Sequence, residues 1–311
     1  MTFRQALRRA AALLPLSLVA GCAALGPNFT SPTAWWTPKS FTAAAAAKSV
    51  PVAEPVDPQW WKLLGDPMLT SLESRLAGSN LDLRIASLRL TESRAELGVS
   101  KAALLPSLNG DAGFSANQQS RRGTLALNPP NPLGNPYDLY QYGFDASWEL
   151  DFWGHVRRGV EQSAANLAAT EEAGRDVAVT SSAELARDYV RLRGVQRKLE
   201  ITRQNLGSAQ ESLRLTTARA AGGLTTDLDV ANAAAQVATI RAQIPTLEQQ
   251  QSELSNAIAM LLGQPPQALA TELASARLVP LVLPKVLVGV LSDLVCRCPD
   301  IRQAEALLHA A

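Results

Sequence analysis

The chain has 311 residues, of which 47% are hydrophobic and only 5% aromatic, and 29 lysines and arginines nearly balance 28 aspartates and glutamates. With almost no net charge, nothing suggests a nucleic-acid partner, and the aromatic content is low for the core of a globular enzyme. Alanine, leucine, glutamine and arginine are abundant, which is typical of long helices.

The first residues predict a lipoprotein signal peptide over residues 1–21. Arginines precede an apolar stretch at 10–20 that is too short to span a bilayer, and the sequence then continues Leu-Val-Ala-Gly-Cys, with the cysteine at position 22. This pentapeptide resembles a bacterial lipobox, in which Cys22 receives diacylglycerol and, after cleavage, an N-acyl chain; each buried CH₂ adds roughly 0.8 kcal/mol of anchoring. Ala23, in place of an aspartate, favours the outer membrane. The alternative is an ordinary signal peptide with an incidental cysteine.

The next two segments differ sharply in pattern. Residues 22–59 contain six prolines around an alanine run, which predicts an extended tether and not a packed domain. Leucine spacing then predicts an amphipathic helix over 66–105, with Asp66 as the capping residue and Pro67 in the first turn. A break in this helix is expected near Gly78-Ser79-Asn80.

Two stretches of alternating sequence, 107–117 and 138–152, predict strands that flank a polar extracellular loop at 118–136. Two strands of about ten residues with one apolar face match a transmembrane hairpin. An amphipathic hairpin packed on a soluble core fits the alternation equally well. The face of the second strand that is predicted to contact the membrane consists of Tyr140, Tyr142, Phe144, Trp148, Leu150 and Phe152.

Residues 153–262 predict two long antiparallel helices of coiled-coil character. Leucine recurs every seven residues over 185–213, and isoleucine or leucine does so over 240–261. The reversal falls at Gly222-Gly223, and Pro245 is expected to bend the second helix locally. At 1.5 Å per residue the first helix is roughly 100 Å long, which favours a rod or tube wall.

Catalytic motifs are missing from the sequence. We find no nucleophile elbow, zinc-protease motif, phosphate loop or dinucleotide fingerprint, and both histidines, His155 and His309, are isolated in helical sequence. The pair Cys296 and Cys298 offers too few ligands for a closed zinc site, and we interpret both cysteines as incidental. We therefore predict neither an enzyme nor a cofactor, apart from the covalent lipid on Cys22.

An internal repeat leads to the family resemblance. Residues 299–308 align with 81–90 at matching aspartate, arginine, alanine and leucine positions, where a second unit would begin. Further motifs are spread along nearly the whole chain: Gly21-Cys22 with Gly26-Pro27-Asn28-Phe29, Trp60-Trp61 with Gly65-Asp66-Pro67, Ala102 to Ser107, Trp148 to Gly154, Ser292-Asp293-Leu294, and Pro299 to Arg302. In these motifs and in their order, the sequence resembles the outer-membrane factors of tripartite efflux systems, in the OprM/NodT-like lipoprotein branch of the TolC family.

The resemblance implies a mainly α fold with a transmembrane β-hairpin, a TolC-like protomer that contributes to a helical barrel and a β-barrel in a trimeric duct. Such a duct carries drugs or other small compounds across the periplasm and outer membrane, together with a periplasmic adaptor and an inner-membrane pump of the RND type. The polar strand face would then line the pore. The turn expected to contact the adaptor comprises Gly222, Gly223, Leu224, Thr225, Thr226 and Asp227. The alternative is that these residues only connect the two helices and contact no partner.

The sequence departs from the family pattern after the first repeat. We expect residues 60–280 to form that repeat and 281–311 to be a linker and the start of a truncated second one. Cysteines stand at 296 and 298 where relatives carry basic residues, and a proline expected near Val290 is absent, which a frameshifted or truncated gene would explain. The alternatives are a non-functional truncated factor and a structural coiled-coil envelope lipoprotein. A periplasmic adaptor would need lipoyl-like β segments, which we do not find.

Overall fold

The computed structural model describes residues 24–32, 49–51, 59–118, 136–275, 286–288 and 297–311. The predicted signal peptide, Cys22, Cys296 and almost all of the extracellular loop lie outside these ranges. The helices and strands, in chain order, are β1 (Ser49–Pro51), a 3₁₀ helix (Trp60–Leu64), α1 (Pro67–Ser79), α2 (Leu81–Ala102), β2 (Ser107–Asn117), β3 (Tyr137–Ser147), α3 (His155–Ala221), α4 (Asp227–Leu261), α5 (Ala270–Leu273), β4 (Val286–Val288) and α6 (Pro299–Ala310).

Contacts divide the chain into two units. The first unit comprises residues 1–30, 93–167 and 309–311, and it contains the pair β2–β3. The second comprises 31–92 and 168–308, and it contains the hydrophobic core and the parallel pair β1–β4.

Asn80 divides the helix predicted over 66–105 into α1 and α2. It ends α1 with extended backbone, and its side-chain oxygen accepts from the Leu83 backbone N–H at 2.9 Å, so the same residue caps the next helix. Its side-chain amide donates to the Leu261 carbonyl at 2.8 Å. Asp66 caps the start of α1 by accepting from the backbone N–H groups of Met68 and Leu69. Polar side chains therefore fix both ends of α1.

The core of the second unit joins α1 to α3 and α4. Its fully buried members come from α1, α3, the end of α4 and the segment after α4 that includes α5, and each large apolar side chain among them contributes about 1.5–3 kcal/mol of burial free energy. The largest of these side chains are Leu69, Leu72, Leu185, Tyr189, Leu192, Ile258, Leu262, Leu269 and Leu273. Towards the α3–α4 turn, Leu206 and Leu213 of the same seven-residue row are only half-buried.

Buried polar groups tie three segments of this unit together. The Tyr189 hydroxyl donates to Asp66 Oδ2 at 2.5 Å, and the Arg193 guanidinium lies 4.7 Å from the centre of the Tyr189 ring. Arg193 is only 3% exposed and donates to the carbonyls of Leu273 and Ser275. Burial and, next, the bond to Asp66 raise the pKa of Tyr189 to about 12. The hydroxyl thus stays protonated as a structural donor, and this cluster holds the chain that follows α4.

The strands β2 and β3 form an antiparallel hairpin in the first unit. Ser107 pairs with Ser147 at one end and Asn117 with Tyr137 at the other. β3 ends at Ser147, whereas the sequence predicted a strand as far as residue 152. The partner strand explains the difference: β2 begins directly after Pro106, which has no N–H to donate, so residues beyond Ser147 have no continuing partner.

No helix among the described residues is both long enough and apolar enough to cross a bilayer.

Candidate functional site

The turn between α3 and α4 closes α3 with a Schellman motif. The Leu224 N–H donates to the Arg219 carbonyl at 2.9 Å and the Gly223 N–H donates to the Ala220 carbonyl at 2.9 Å. Gly223 has a φ of 71°, which a residue with a Cβ adopts only at a cost. Leu224 is 79% exposed directly after this reversal. The backbone therefore presents a leucine outward on a rigid turn.

A capping box starts α4 on the other side of the same turn. The Thr226 side chain accepts from the Asp229 N–H, and the Asp229 carboxylate accepts from the Thr226 N–H at 3.1 Å. The Thr225 hydroxyl donates to the same carboxylate at 2.6 Å. Hydrogen bonds from Thr225 and Thr226 lower the pKa of Asp229 to about 2, so this carboxylate stays ionised at any physiological pH.

The turn brings all six predicted tip residues together and adds Asp229, which the sequence interpretation missed. The sequence does contain a signal for Asp229, because a threonine followed three residues later by an acidic residue is a variant of the capping-box pattern. Asp227 occupies the first position of α4 and places a second negative charge at the helix N-terminus, where the helix dipole favours it. The contact of this turn with a partner stays a prediction.

The β2–β3 hairpin leaves large apolar side chains exposed on one face. Tyr142 and Phe144 are 85% and 83% exposed in the isolated chain. Phe144 lies opposite Gly110, and its ring covers the site where a Cβ on Gly110 would stand. Tyr140 packs against Phe114 with ring centroids 5.0 Å apart. Phe114, Tyr140 and Phe144 thus contact an aromatic ring or a glycine, and the large aromatic side chains of this face remain exposed.

Three of the predicted membrane-facing residues, Trp148, Leu150 and Phe152, follow β3 and do not belong to it. All three remain exposed. The Trp148 indole N–H donates to the Leu104 carbonyl at 3.2 Å, which fixes the ring beside the end of α2. We call these three exposed apolar residues at the end of the hairpin the collar. Contact between the collar and lipid stays a prediction.

The beginning of the predicted tether packs against the same base. The Leu25 N–H donates to the Trp153 carbonyl at 3.0 Å, and Arg158 donates to the Gly26 carbonyl at 3.1 Å. Residues 24–29 are therefore held in place by these contacts, at the start of the segment that the sequence predicts to be an extended tether. The cause is Arg158, whose several donors can satisfy unpaired backbone carbonyls. The lipid-attachment prediction itself concerns Cys22, which the structure does not describe.

Metal-binding geometry is absent from the ranges that the structure covers. No group of three or more histidine, cysteine, aspartate or glutamate residues there could hold a metal ion. Cys298 is a free, half-buried thiol.

Comparison with solved structures identifies the class of protein to which this fold belongs. The chain superimposes on the outer-membrane channel OprN with a TM-score of 0.77 and 30% sequence identity, over 92% of this chain and 62% of that one. The long helices and the strand pair therefore have a TolC-like fold, the fold of that outer-membrane channel's protomer.

Sequence comparison specifies the family. The family model described as outer membrane efflux protein matches residues 72–264, and the chain belongs to this family. It is 33% identical over 300 residues to the pyoverdine export outer membrane protein OpmQ of Pseudomonas aeruginosa, covering 95% of this chain and 62% of that protein. It is 28% identical to the probable outer membrane lipoprotein SilC of Salmonella typhimurium, covering 94% and 61%.

These findings confirm the family resemblance and the TolC-like fold class that the sequence predicted. The chain spans about three fifths of the length of the curated relatives that it matches. The domain boundaries, the membrane-facing strand and the tip contact stay predictions.

Proposed function

We propose that the chain is a channel subunit of a tripartite efflux system in the outer membrane of a Gram-negative bacterium, which passively conducts drugs or other small compounds outward. The observation that carries this proposal is the family match over residues 72–264. Relatives named for pyoverdine export and for toluene efflux support a small-molecule cargo. Known members of the family are channels, and we assign this chain no catalytic activity of its own.

The hairpin is the part of this subunit that we place in lipid. Tyr140, Tyr142 and Phe144 would face the acyl chains, with the collar residues at the interface, where aromatic rings are favoured. Acylation of Cys22 would anchor the N-terminus in the same membrane, and the naming of SilC as a lipoprotein supports this anchor. The polar strand face would line the conduit.

Assembly requires further strands, because β2 and β3 pair only with each other in the described part of the chain. An open strand edge in lipid leaves unsatisfied backbone groups at several kcal/mol each. We propose that a homotrimer supplies the missing partners. The exposed tip, centred on Leu224, would contact a periplasmic adaptor, which in turn binds an RND-type inner-membrane pump.

The channel proposal is tested in an efflux-deficient strain that carries this chain with its cognate adaptor and pump. We expect the mature protein in the outer-membrane fraction as a trimer that resists detergent and dissociates on heating, together with restored resistance to exported compounds. A membrane-bound protein that never trimerises and restores no resistance would favour the structural lipoprotein and contradict the proposal.

The tip contact needs its own variant. We expect Leu224→Asp to weaken crosslinking to the adaptor about tenfold, because it places a charge at the centre of an apolar contact. Leu215→Asp is the matched control, since Leu215 is also an exposed leucine but lies on α3 before the turn. Equal crosslinking by both variants would show that the tip is only a helix turn.

A further inference from the structure

The first turns of α3 hold residues 24–29 through one arginine. Arg158 donates to the Gly26 carbonyl and to Asn28 Oδ1, both at 3.1 Å, and to the Leu25 carbonyl at 3.4 Å. Three acceptors on a short stretch of chain leave little freedom for that stretch. The interaction depends on the direction of the guanidinium, which is set by its neighbours.

Glu161 sets that direction. Its carboxylate accepts from Arg158 Nη1 at 2.6 Å and from His309 Nε2 at 3.1 Å. The hydrogen bond from His309 and then that from Arg158 lower the pKa of Glu161 below its usual value. One carboxylate therefore joins the arginine that holds the segment to a histidine on α6.

His309 completes the arrangement by contacting the same segment. Its imidazole stacks on Phe29 with ring centroids 4.3 Å apart and an interplanar angle of 12°. Residues 24–29 are thus held at one end by the guanidinium of Arg158 and at the other by the ring of His309. Glu161 lies between these two groups and bonds to both.

We propose that Arg158, Glu161 and His309 form a clamp that fixes residues 24–29 against the base of the hairpin, and that Glu161 is its central positioning residue. The role of this clamp in membrane anchoring rests on the proposed function, in which Cys22 carries the lipid. Ala24 lies two residues after Cys22, so an acyl anchor there would be within about 7 Å of a clamped position. The clamp would place the lipid anchor beside the collar and prevent it from moving freely on a tether.

Charge makes the clamp sensitive to pH. The contact between Glu161 and His309 is an ion pair only when the carboxylate is ionised and the imidazole is protonated. Arg158 binds the same carboxylate and stays charged, Arg157 forms a separate pair with Asp151, and Glu305 lies one helical turn before His309 on α6. The clamp should therefore weaken in acid, where Glu161 gains a proton and loses the charge that both partners bind.

Amide hydrogen exchange of the full chain in detergent micelles measures the clamp directly. We expect Glu161→Gln to speed exchange over residues 24–29 about fivefold while exchange in β2 and β3 is unchanged. Glu211→Gln is the matched control, because Glu211 also pairs with an arginine three residues away, at 2.7 Å, but in the second unit. Equal exchange over residues 24–29 in both variants would overturn the proposal.

His309→Phe separates the ion pair from ring packing, since phenylalanine can still stack on Phe29. We expect this variant to exchange about threefold faster than the unmodified chain over residues 24–29, because it keeps the stacking but loses the bond to Glu161. Exchange equal to that of the unmodified chain would show that ring packing alone holds the segment and would overturn the clamp, even if Glu161→Gln disturbed folding.

The same measurement on Cys22→Ser separates the clamp from acylation. Residues 24–29 should remain equally protected in this variant, because none of the clamp contacts involves the lipid. Loss of protection in Cys22→Ser would overturn the clamp as the cause of the ordering. The unmodified chain could instead be found without lipid on Cys22 while residues 24–29 stay protected from exchange. That result would contradict only the lipid anchor of the proposed function.

Discussion

Glu73 is a buried carboxyl whose neighbours do not satisfy it. It is 3% exposed on the leucine-lined face of α1, and neither its Oε1 nor the Ser182 hydroxyl forms a hydrogen bond of ordinary geometry with the described residues. Burial raises the pKa of Glu73 to about 7, and the weaker opposing effect of Ser182 does not restore its usual value. Glu73 is therefore a proton-binding group inside the core.

This carboxyl should make stability fall as pH rises. Because the folded pKa of about 7 exceeds the unfolded value of 4.5, the folded state holds more protons between those limits, and its advantage is lost as pH rises towards 7. We expect Glu73→Gln to match the original chain near pH 4.5 and to be more stable at pH 8 by about 2 kcal/mol. Chemical unfolding followed by helical circular dichroism across this range measures the difference, and parallel curves would contradict it.

Gly154, just before α3, lies directly against Ala24 of the N-terminal segment. Its φ is 87°, and a Cβ there would clash with both the Cα and the Cβ of Ala24. We expect Gly154→Ala to lower stability by about 1–2 kcal/mol and to displace residues 24–29. Gly159→Ala is the control, because Gly159 is helical and a Cβ there would meet no heavy atom within 4 Å, so this substitution should stabilise α3 slightly. Relative to the unmodified chain, the midpoint temperature of thermal unfolding should therefore fall for Gly154→Ala and rise slightly for Gly159→Ala.

At the scale of the elements, the sequence predicts best what depends on repetition. The seven-residue leucine row of α3 is visible without a structure, and Leu185 and Leu192 are indeed fully buried. The aromatic alternation likewise indicates β3, whereas its end at Ser147 depends on where the partner strand begins. His309 could not be predicted from the pattern, since its contacts come from residues 148 and 280 positions away in the chain. Isolated polar residues acquire their roles only when distant segments meet.

The capping box of α4 gives the tip its stability at this scale. We expect Thr226→Ala to destabilise the first turn of α4 by about 1 kcal/mol, because it removes the cap that accepts from the Asp229 N–H. Thr239→Ala is the matched control: that hydroxyl only bonds back to the Ala235 carbonyl within α4, so its loss should be nearly neutral. Hydrogen exchange of the amides at 227–230 tests this, and equal exchange in both variants would contradict the role of the cap.

The low pKa of Asp229 adds a pH dependence to the same turn. A folded pKa of about 2, below the unfolded value of 3.8, stabilises the turn above pH 4, and this stabilisation is lost as pH falls towards 2. Asp229→Asn should therefore exchange its amides at 227–230 faster than the unmodified chain near pH 7, and the ratio of the two exchange rates should fall towards one in acid. A ratio that does not change between pH 7 and pH 3 would contradict it.

At the scale of the whole molecule, the hairpin exposes several large apolar side chains close together. Its outward aromatic residues have no cover within the part of the chain that the structure describes, and each strand leaves one backbone edge unpaired there. Large exposed apolar patches mark interaction surfaces, and unpaired strand edges require partners. In the proposed channel, lipid against the aromatic face and further strands at the edges would satisfy both demands at once.

This arrangement predicts opposite results for charges on the two faces of β3. Phe144→Arg would place a cation among acyl chains at a cost of about 2–4 kcal/mol near the bilayer midplane, so we expect the heat-dissociable trimer in the outer membrane to be largely lost. Gln141→Arg places the same charge on the opposite face of β3, where water would solvate it, so trimer yield should be retained. Quantitative gels of outer-membrane fractions measure both, with Leu215→Arg on α3 as a control for added charge alone. If Gln141→Arg abolished the trimer while Phe144→Arg preserved it, the two faces would be assigned the wrong way round. If neither variant changed the yield, the hairpin would not lie in the membrane.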